Sequence, residues 1–564
     1  MLSSILKAIV LLSLFWTCWR IVCQRWFKTA LDNIPGPPSP SFLKGNFPQL
    51  FNINGWDFHK DIASKYGGVI KVKALFGENQ LYVSDPKALH HVLIKDQYIY
   101  EETSAFIEGN RMMLGNGLVA TLGDRHRRQR KMLNPVFSNS NLREMIPTIY
   151  SVAHRLRISI SQQVIDGPQE IDLLSWMTRT ALEMVGQCGY GYSFDSLAAD
   201  ATPHPYSVSV KELMPAILRV LFVRSYLLAS AVKIGSPKFR RFMVNLLPWK
   251  DLHDLRDIVD TMYKTSVEIF ESKKRAMMDG DDAVATQIGR GKDILSTLMR
   301  ANMDASNEDK LDESELIGQV SAFTFAAMDT TSNALCRILH LLTQHQDVQD
   351  RLRREVTEAY AERGNLNHDE LVALPYLDAV CKETLRLYPP VSFLFRTTRA
   401  NIVMPLSNSI KGLDGKEINE ILIPKNTNVI MSIIEANRHV EIWGPDCLEW
   451  IPERWLSPLP SSVTDARIPG IYSHMLTFLG GGRACIGFKF SQLELSSSLK
   501  SPAFPLLTII TLIFPTEIVI SLLIRSFRFA PTKKEIFWRM SSISTPSVLG
   551  GGDKSQLPLQ VSRV

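Results

Sequence analysis

Phe478-Leu-Gly-Gly-Gly-Arg-Ala-Cys-Ile-Gly487 decides how this chain is read. Cys485 stands two residues after Arg483, and Gly480, Gly481, Gly482 and Gly487 strip bulk from the loop and free its backbone to turn. A cysteine binds metal strongly only as the thiolate, and its free pKa is about 8.5, so the surroundings must favour the anion. A turn of this kind can aim backbone N–H groups at the sulfur and let a flat macrocycle approach the main chain, the setting that tunes a thiolate bound to haem iron. A Gly-rich turn that happens to carry a buried cysteine is the plain alternative, and the loop alone leaves both open. A phosphate loop fails because Gly482 and Gly487 are followed by Phe488, not Lys. Structural zinc fails because the seven cysteines are scattered, with no C-x2-C pair.

The 564 residues are 45% hydrophobic and 21% charged, enough for one large domain or two smaller ones. An odd cysteine count without regular spacing points to a reducing compartment, and a net charge of +6 with no basic tail makes no nucleic-acid case. Residues 1–28 are different. Ala8 to Trp19 is apolar apart from Ser13 and Thr17, within a wider apolar stretch from Leu2 to Phe27. Lys7 and Arg20 can snorkel toward opposite interfaces, so the segment reads as a transmembrane anchor with a basic flank. Arg20, Arg25 and Lys28 leave the rest of the chain in the cytosol by the positive-inside trend. Residues 29–40 follow as a hinge, stiffened by the four prolines of Ile34-Pro-Gly-Pro-Pro-Ser-Pro40.

Short strands are expected at Val69 to Ala74, Gln80 to Val83, Ile421 to Pro424 and Asn428 to Met431, with helical periodicity dominating 140–395. Asp312-Glu-Ser-Glu315 can start a helix that persists to about His345 without a proline. Phe323, Ala326, Ala327, Thr330 and Ala334 share one of its faces. Within it, Thr330 can hold a water and Asp329 can renew a proton supply, or the pair is an ordinary back-bonded threonine beside a solvated acid. Pro375 to Pro390 reads as a helix ended by a proline pair, in which Glu383 and Arg386 can meet. Arg454 of Pro452-Glu-Arg-Trp455 can complete a buried charge network with them. Between Glu102 and Lys131, a flap at 105–118 precedes a basic helix whose His126 and Arg130, at i and i+4, can hold a cofactor carboxylate. Its other face can attract an acidic redox partner or merely solubilise the helix.

Together these segments resemble the cytochrome P450 monooxygenases from the hinge to about Val548. Phe478 to Gly487 satisfies the pattern F-x-x-G-x-R-x-C-x-G, Glu383-Thr-Leu-Arg386 is similar to E-x-x-R, and Ala326-Ala-Met-Asp-Thr-Thr331 resembles the oxygen-activation helix. The resemblance implies a mainly α fold with small β-sheet regions, in which 41–548 is the catalytic domain and 549–564 a C-terminal tail. It implies haem b (iron protoporphyrin IX) ligated by Cys485, with Arg130, Arg396 and Arg483 as propionate partners and Asp329 and Thr330 supporting proton delivery. It further implies O2, NADPH as indirect electron donor, an NADPH–cytochrome P450 reductase and a single-pass endoplasmic-reticulum location of the fungal type. An apolar pocket is expected from Phe323, Ala326, Ala327, Val391, Phe393 and Phe395. It suits a sterol or other terpenoid, with aromatic or fatty xenobiotics, a haem-thiolate isomerase and an inert product as the alternatives.

Two departures are small: Ala327 replaces a usual glycine, and His126 a usual tryptophan. The third is large. Phe490-Ser-Gln-Leu-Glu-Leu495 begins the helix expected after the cysteine, and Glu517 to Phe529 continues it. Residues 496–516 intervene with Pro502, Pro505 and Pro515, each costing a helix about 3 kcal/mol. Joining Leu495 to Glu517 restores an amphipathic run, so 496–516 reads as a retained intron or a gene-model error.

Overall fold

Apolar residues recurring every three or four positions produce the helices that dominate the computed structural model, which describes residues 29–280, 283, 288, 291–491, 514–552 and 554–564. Those that position the site are α1 (Trp56–Tyr66), α2 (Ser104–Leu114), α3 (Gly123–Leu133), α4 (Asn139–Gln163), α5 (Leu173–Met184), α6 (Pro205–Arg219) and α7 (Lys250–Met278), then α8 (Glu313–Gln344), α9 (Gln346–Arg363), α10 (Pro375–Leu387) and α11 (Phe514–Ser526). The anchor expected in 1–28 and nearly all of the interrupting segment 496–516 lie outside the described residues. No helix among the described residues is long and apolar enough to cross a membrane.

Helix α8 is the axis of the molecule. The Asp312 carboxylate accepts from the Glu315 N–H at 2.9 Å, and Glu315 accepts from the Asp312 N–H at 3.1 Å, a reciprocal cap that satisfies N–H groups a helix start leaves open. Its 32 residues span about 48 Å at the usual rise. Helices α5 and α7 pack along it, and α11 touches α4, α8, α9 and α10. Residues Ile518 to Ile520 and Leu522 to Ile524 of α11 are at most 2% exposed, so this helix is buried all round and belongs to the centre of the core.

The largest sheet has the order β1-β2-β8-β5-β3, built from Val69–Lys73, Asn79–Val83, Asn428–Ser432, Phe393–Thr398 and Tyr100–Glu101. Strand β8 is parallel to β2 and antiparallel to β5, with Phe395 opposite Ile430. Strands β6 (Ile402–Lys411) and β7 (Glu417–Ile423) form a hairpin, and β10 (Ile536–Arg539) pairs with β11 (Thr545–Val548). A three-stranded sheet has β12 (Pro558–Arg563) between β4 (Gln169–Asp172) and β9 (Phe527–Ala530).

The C-terminal segment therefore departs from the expected tail: 558–563 is a central strand. Leu557, Leu559 and Val561 are each at most 1% exposed, and between them Gln560 and, beyond, Ser562 are half-buried while Pro558 is buried too. The three apolar residues, spaced two apart, bury one face of the strand against the core.

Candidate active site

The cysteine loop is shaped by close backbone approach. A Cβ on Gly480 would fall 1.7 Å from the Pro469 carbonyl oxygen, and one on Gly481, whose φ is +69°, would fall 1.9 Å from that of Leu93. The Cys485 N–H donates to the Phe478 carbonyl at 2.9 Å, and the Gln97 side chain accepts from the Gly482 N–H at 2.8 Å. The thiol is exposed at the end of this loop. Desolvation by the surrounding protein pushes its pKa up, while the N–H groups of Phe488 and Gly487 and the Arg130 charge act in the opposite direction.

Four basic side chains gather beside it. Arg130 donates through Nη1 to the Ala484 carbonyl at 2.6 Å, and Arg483 donates through Nη2 to the Thr121 carbonyl at 2.9 Å. Arg396, 2% exposed, is paired with Glu102 at 2.9 Å. Burial first, then the charges of Arg483 and Arg130, lower the His126 pKa to about 3, so its ring is neutral near pH 7. Helix α3 and the cysteine loop, through His126, Arg130, Gly481, Gly482 and Arg483, bound a cavity of about 760 Å3.

The resident group implied here is haem, and these residues fit it. Nη2 of Arg130 and Nη2 of Arg396 are both buried without an acceptor. Unpaired buried guanidinium donors are costly, and two carboxylates of a cofactor would relieve both. The cysteine supplies the one soft ligand.

The middle of α8 is open. Ala322, Met328 and Leu335 are buried, yet Ala326 is exposed and Ala327, Asp329 and Thr330 are only half-buried. Thr330 Oγ1 donates back to the Ala326 carbonyl at 2.6 Å, the ordinary back-bond of a helical threonine. Asp329 accepts from Asn333 Nδ2 at 3.2 Å. Burial raises its pKa to about 6 against the pull of Lys211 and Asn333. Phe323 is half-buried, with its ring edge-on to Phe137 at 5.3 Å.

The structure brings Glu383, Arg386 and Arg454 together. Arg386 grips Glu383 by two bonds of 2.8 Å, both side chains 0% exposed, and donates to the Cys447 and Asn437 carbonyls. Arg454 reaches Glu383 at 3.5 Å, and Trp455 Nε1 donates to it at 3.0 Å. Every oxygen of this buried carboxylate is used, as a buried charge requires.

Two expectations fail on geometry. Phe393 and Phe395 do not line the pocket: Phe393 stacks on His59 of α1 at 5.6 Å, and Phe395 packs on Phe51, in a separate cluster with Ile62 and Tyr82. Strand alternation sends them to one face of the sheet and Leu394 and Arg396 to the other. Leu394 is half-buried and, like Val391, packs against the main core, away from the cluster that holds the two phenylalanines. Secondly, the basic face of α3 is largely spent within the chain. Arg125 and Arg128 converge on the fully buried Glu315 at 2.6 and 3.0 Å, Arg127 pairs with Asp124, and Lys131 with Asp309. Glu315 thus caps α8 and ties it to the helix beside the cysteine loop.

A cysteine so presented and ringed by unsatisfied guanidinium donors, in a chain whose long helix α8 carries an acid and a hydroxyl in its open middle, defines a haem-thiolate oxidoreductase. The family described as Cytochrome P450 matches residues 35–501. The chain is 48% identical to cytochrome P450 monooxygenase 91 of Postia placenta over all of its own length and 99% of that relative. It is 41% identical to ganoderic acid synthetase CYP5150L8 of Ganoderma lucidum, over 96% of each chain. With cytochrome P450 monooxygenase eriI of Hericium erinaceus it shares 39% identity over 96% of this chain and 95% of the other. The chain belongs to the cytochrome P450 family and is a monooxygenase, an oxidoreductase that incorporates molecular oxygen.

Proposed function

We propose that this monooxygenase inserts one oxygen atom from O2 into a terpenoid or sterol, with electrons passed from NADPH through a flavoprotein reductase at the endoplasmic-reticulum membrane, the catalytic domain facing the cytosol. The observation that carries the substrate class is the strip of small and apolar surface left open on α8 at Ala326 and Ala327. Such a surface suits a large ligand without many polar groups. The name of the Ganoderma relative, a ganoderic acid synthetase, points the same way.

Haem, when bound, supplies dioxygen binding and activation at a thiolate-ligated iron. The chain supplies the rest. Cys485 offers its sulfur from a loop fixed by Pro469, Leu93 and Gln97. Arg130, Arg396, Arg483 and neutral His126 would hold the propionates by charge-assisted or neutral hydrogen bonds. Thr330 commits its proton to the Ala326 carbonyl, which leaves its lone pairs to accept from a water and orient it. Asp329, with its pKa about 6, takes up and returns a proton at Oδ near neutral pH, where a carboxyl of ordinary pKa would stay ionised.

Residues 496–516 belong to the same proposal. The family match stops at 501, inside this segment, while α11 resumes the core from Ile518. We infer that the working transcript joins Leu495 to Glu517. Sequencing mature transcripts across the junction tests this, and uniform retention of the coding segment overturns it.

The functional test is purified enzyme with reductase and NADPH against sterol, terpenoid, aromatic and fatty-acid panels. Oxygenated products from the first two classes are expected. Turnover confined to aromatic or fatty compounds overturns the substrate class, and NADPH-independent conversion would move the protein to the isomerases.

A further inference from the structure

Gln97 holds the cysteine loop from outside it. The turn His91–Lys95 is wound as a π-helix, a geometry that recurs at functional sites, and it packs on the single helical turn Gly481–Arg483 that delivers Cys485. Just before Gln97 the chain is closed on itself: His91 Nδ1 lies 2.7 Å from Asp96 Oδ2, and the Asp96 N–H donates to the His91 carbonyl at 2.9 Å. Half-buried Gln97 follows at once and meets the Gly482 N–H at 2.8 Å. Because that N–H can only donate, the accepting atom is the amide oxygen of Gln97. The neighbouring Gly481 abuts the Leu93 carbonyl, and its own carbonyl accepts from the Ala484 N–H at 3.1 Å. A side chain 385 positions away in sequence therefore fixes the turn that ends at the ligand. Gln97 also lines the cavity bounded by Arg130 and Arg483, so solvent in that cavity is the alternative acceptor for Gly482. Water satisfies an N–H but does not tie it to the rest of the fold.

We propose that Gln97 is a positioning residue for the haem ligand: its hydrogen bond to Gly482 holds the turn before Cys485 in place and so keeps the sulfur on the iron as a thiolate, where a slack loop would release it as a thiol. Gln97 touches neither the sulfur nor the cofactor, and it acts through the loop alone. The ligand strength of a thiolate depends on the backbone N–H groups around it, and those groups stay directed at the sulfur only while the loop that carries them is fixed. The inference concerns the ligand and is independent of the substrate class.

The full-length, haem-loaded wild type is compared with Gln97→Met and Gln97→Glu. Met keeps the length and bulk of the side chain but is a weak acceptor, whereas Glu keeps the accepting oxygen. Ferrous–carbonyl spectra along a urea titration give the ratio of thiolate-type to thiol-type absorption. At the urea concentration where the wild type holds equal amounts of the two, Gln97→Met should lower the ratio about fivefold, as the loss of one neutral hydrogen bond implies. Gln97→Glu should match or exceed the wild type. A wild-type ratio in Gln97→Met overturns the proposal, as does an equal fall in both variants, which would make Gln97 a packing residue. If Gln97→Met takes up no haem, haem bound per polypeptide is the readout: uptake restored in Gln97→Glu supports the proposal, and uptake lost in both overturns it. Absence of thiolate-type absorption in the wild type itself would instead count against Cys485 as the ligand and against the monooxygenase reading.

Discussion

Replacing Asp329 with Asn should stabilise this protein while crippling it. The carboxyl titrates at about 6 in the fold against an ordinary 3.8, burial being the main cause. Between those values the folded chain holds a proton that the unfolded chain has lost, so folding stability falls as pH rises from about 4 to about 6 and then levels off. The shift corresponds to at most about 3 kcal/mol of destabilisation above pH 7, at about 1.36 kcal/mol per unit. Asn cannot ionise, and its amide oxygen can still accept from Asn333. The variant should therefore exceed the parent by up to about 3 kcal/mol at pH 7.5, by about half that at pH 5, and by almost nothing below pH 4. Urea unfolding at each pH, followed by far-ultraviolet dichroism and haem absorbance, measures the difference. Turnover should fall by about a hundredfold or more because the exchangeable proton is gone. A pH-independent gain, or a loss of stability at pH 7.5, would refute the reasoning.

The neighbouring hydroxyl should show itself in coupling: Thr330→Ala is expected to keep consuming NADPH but release peroxide in place of product, with Thr330→Ser restoring the product-to-NADPH ratio. Arg386→Ala leaves the fully buried Glu383 with Arg454 as its remaining cationic partner, and should cost about 3–5 kcal/mol, seen as lost soluble yield and lost haem. Phe393→Ala and Leu394→Ala should part company. The first is expected to lower stability by about 3–5 kcal/mol with substrate affinity intact, and the second to change affinity or product pattern; the reverse would return the aromatics to the pocket. Deleting 496–516 should raise haem bound per polypeptide, and an unchanged or lower ratio would count against the excision.

What was legible in the sequence was what local chemistry enforces. The Asp312 cap with Glu315, the three-residue spacing of Glu383 and Arg386 and the proline pair just past the end of α10 are short-range signals, and each appears at its position. The misreadings share a cause. Two aromatics two apart in 393–395 suggest a pocket wall, but only the sheet's facing decides which side of a strand looks at the site, and that facing is set by β8 and α1, far away in sequence. The charges of α3 read as a surface because nothing nearby in the chain announces that Glu315, 187 residues from Arg128, will be buried beneath them.

The interruption after the cysteine acts on a different quantity from the ligand itself. Among the described residues, what shapes the loop lies before Cys485 or immediately after it: Pro469 and Leu93 against the glycines, Gln97 on Gly482, and the N–H groups of Gly487 and Phe488 toward the sulfur. None of these contacts passes through 496–516. The start of α11, in contrast, contains Glu517, 0% exposed, with neither carboxylate oxygen partnered and its pKa pushed well up by burial and by Asp378. A buried acid that must stay protonated is a weak point in a helix otherwise packed on four neighbours. Stress at this junction therefore loosens the brace without altering the thiolate's hydrogen bonds. The full chain and a chain lacking 496–516 should give the same thiolate-type spectrum from whatever haem they hold, and differ in how much they hold and how long they keep it.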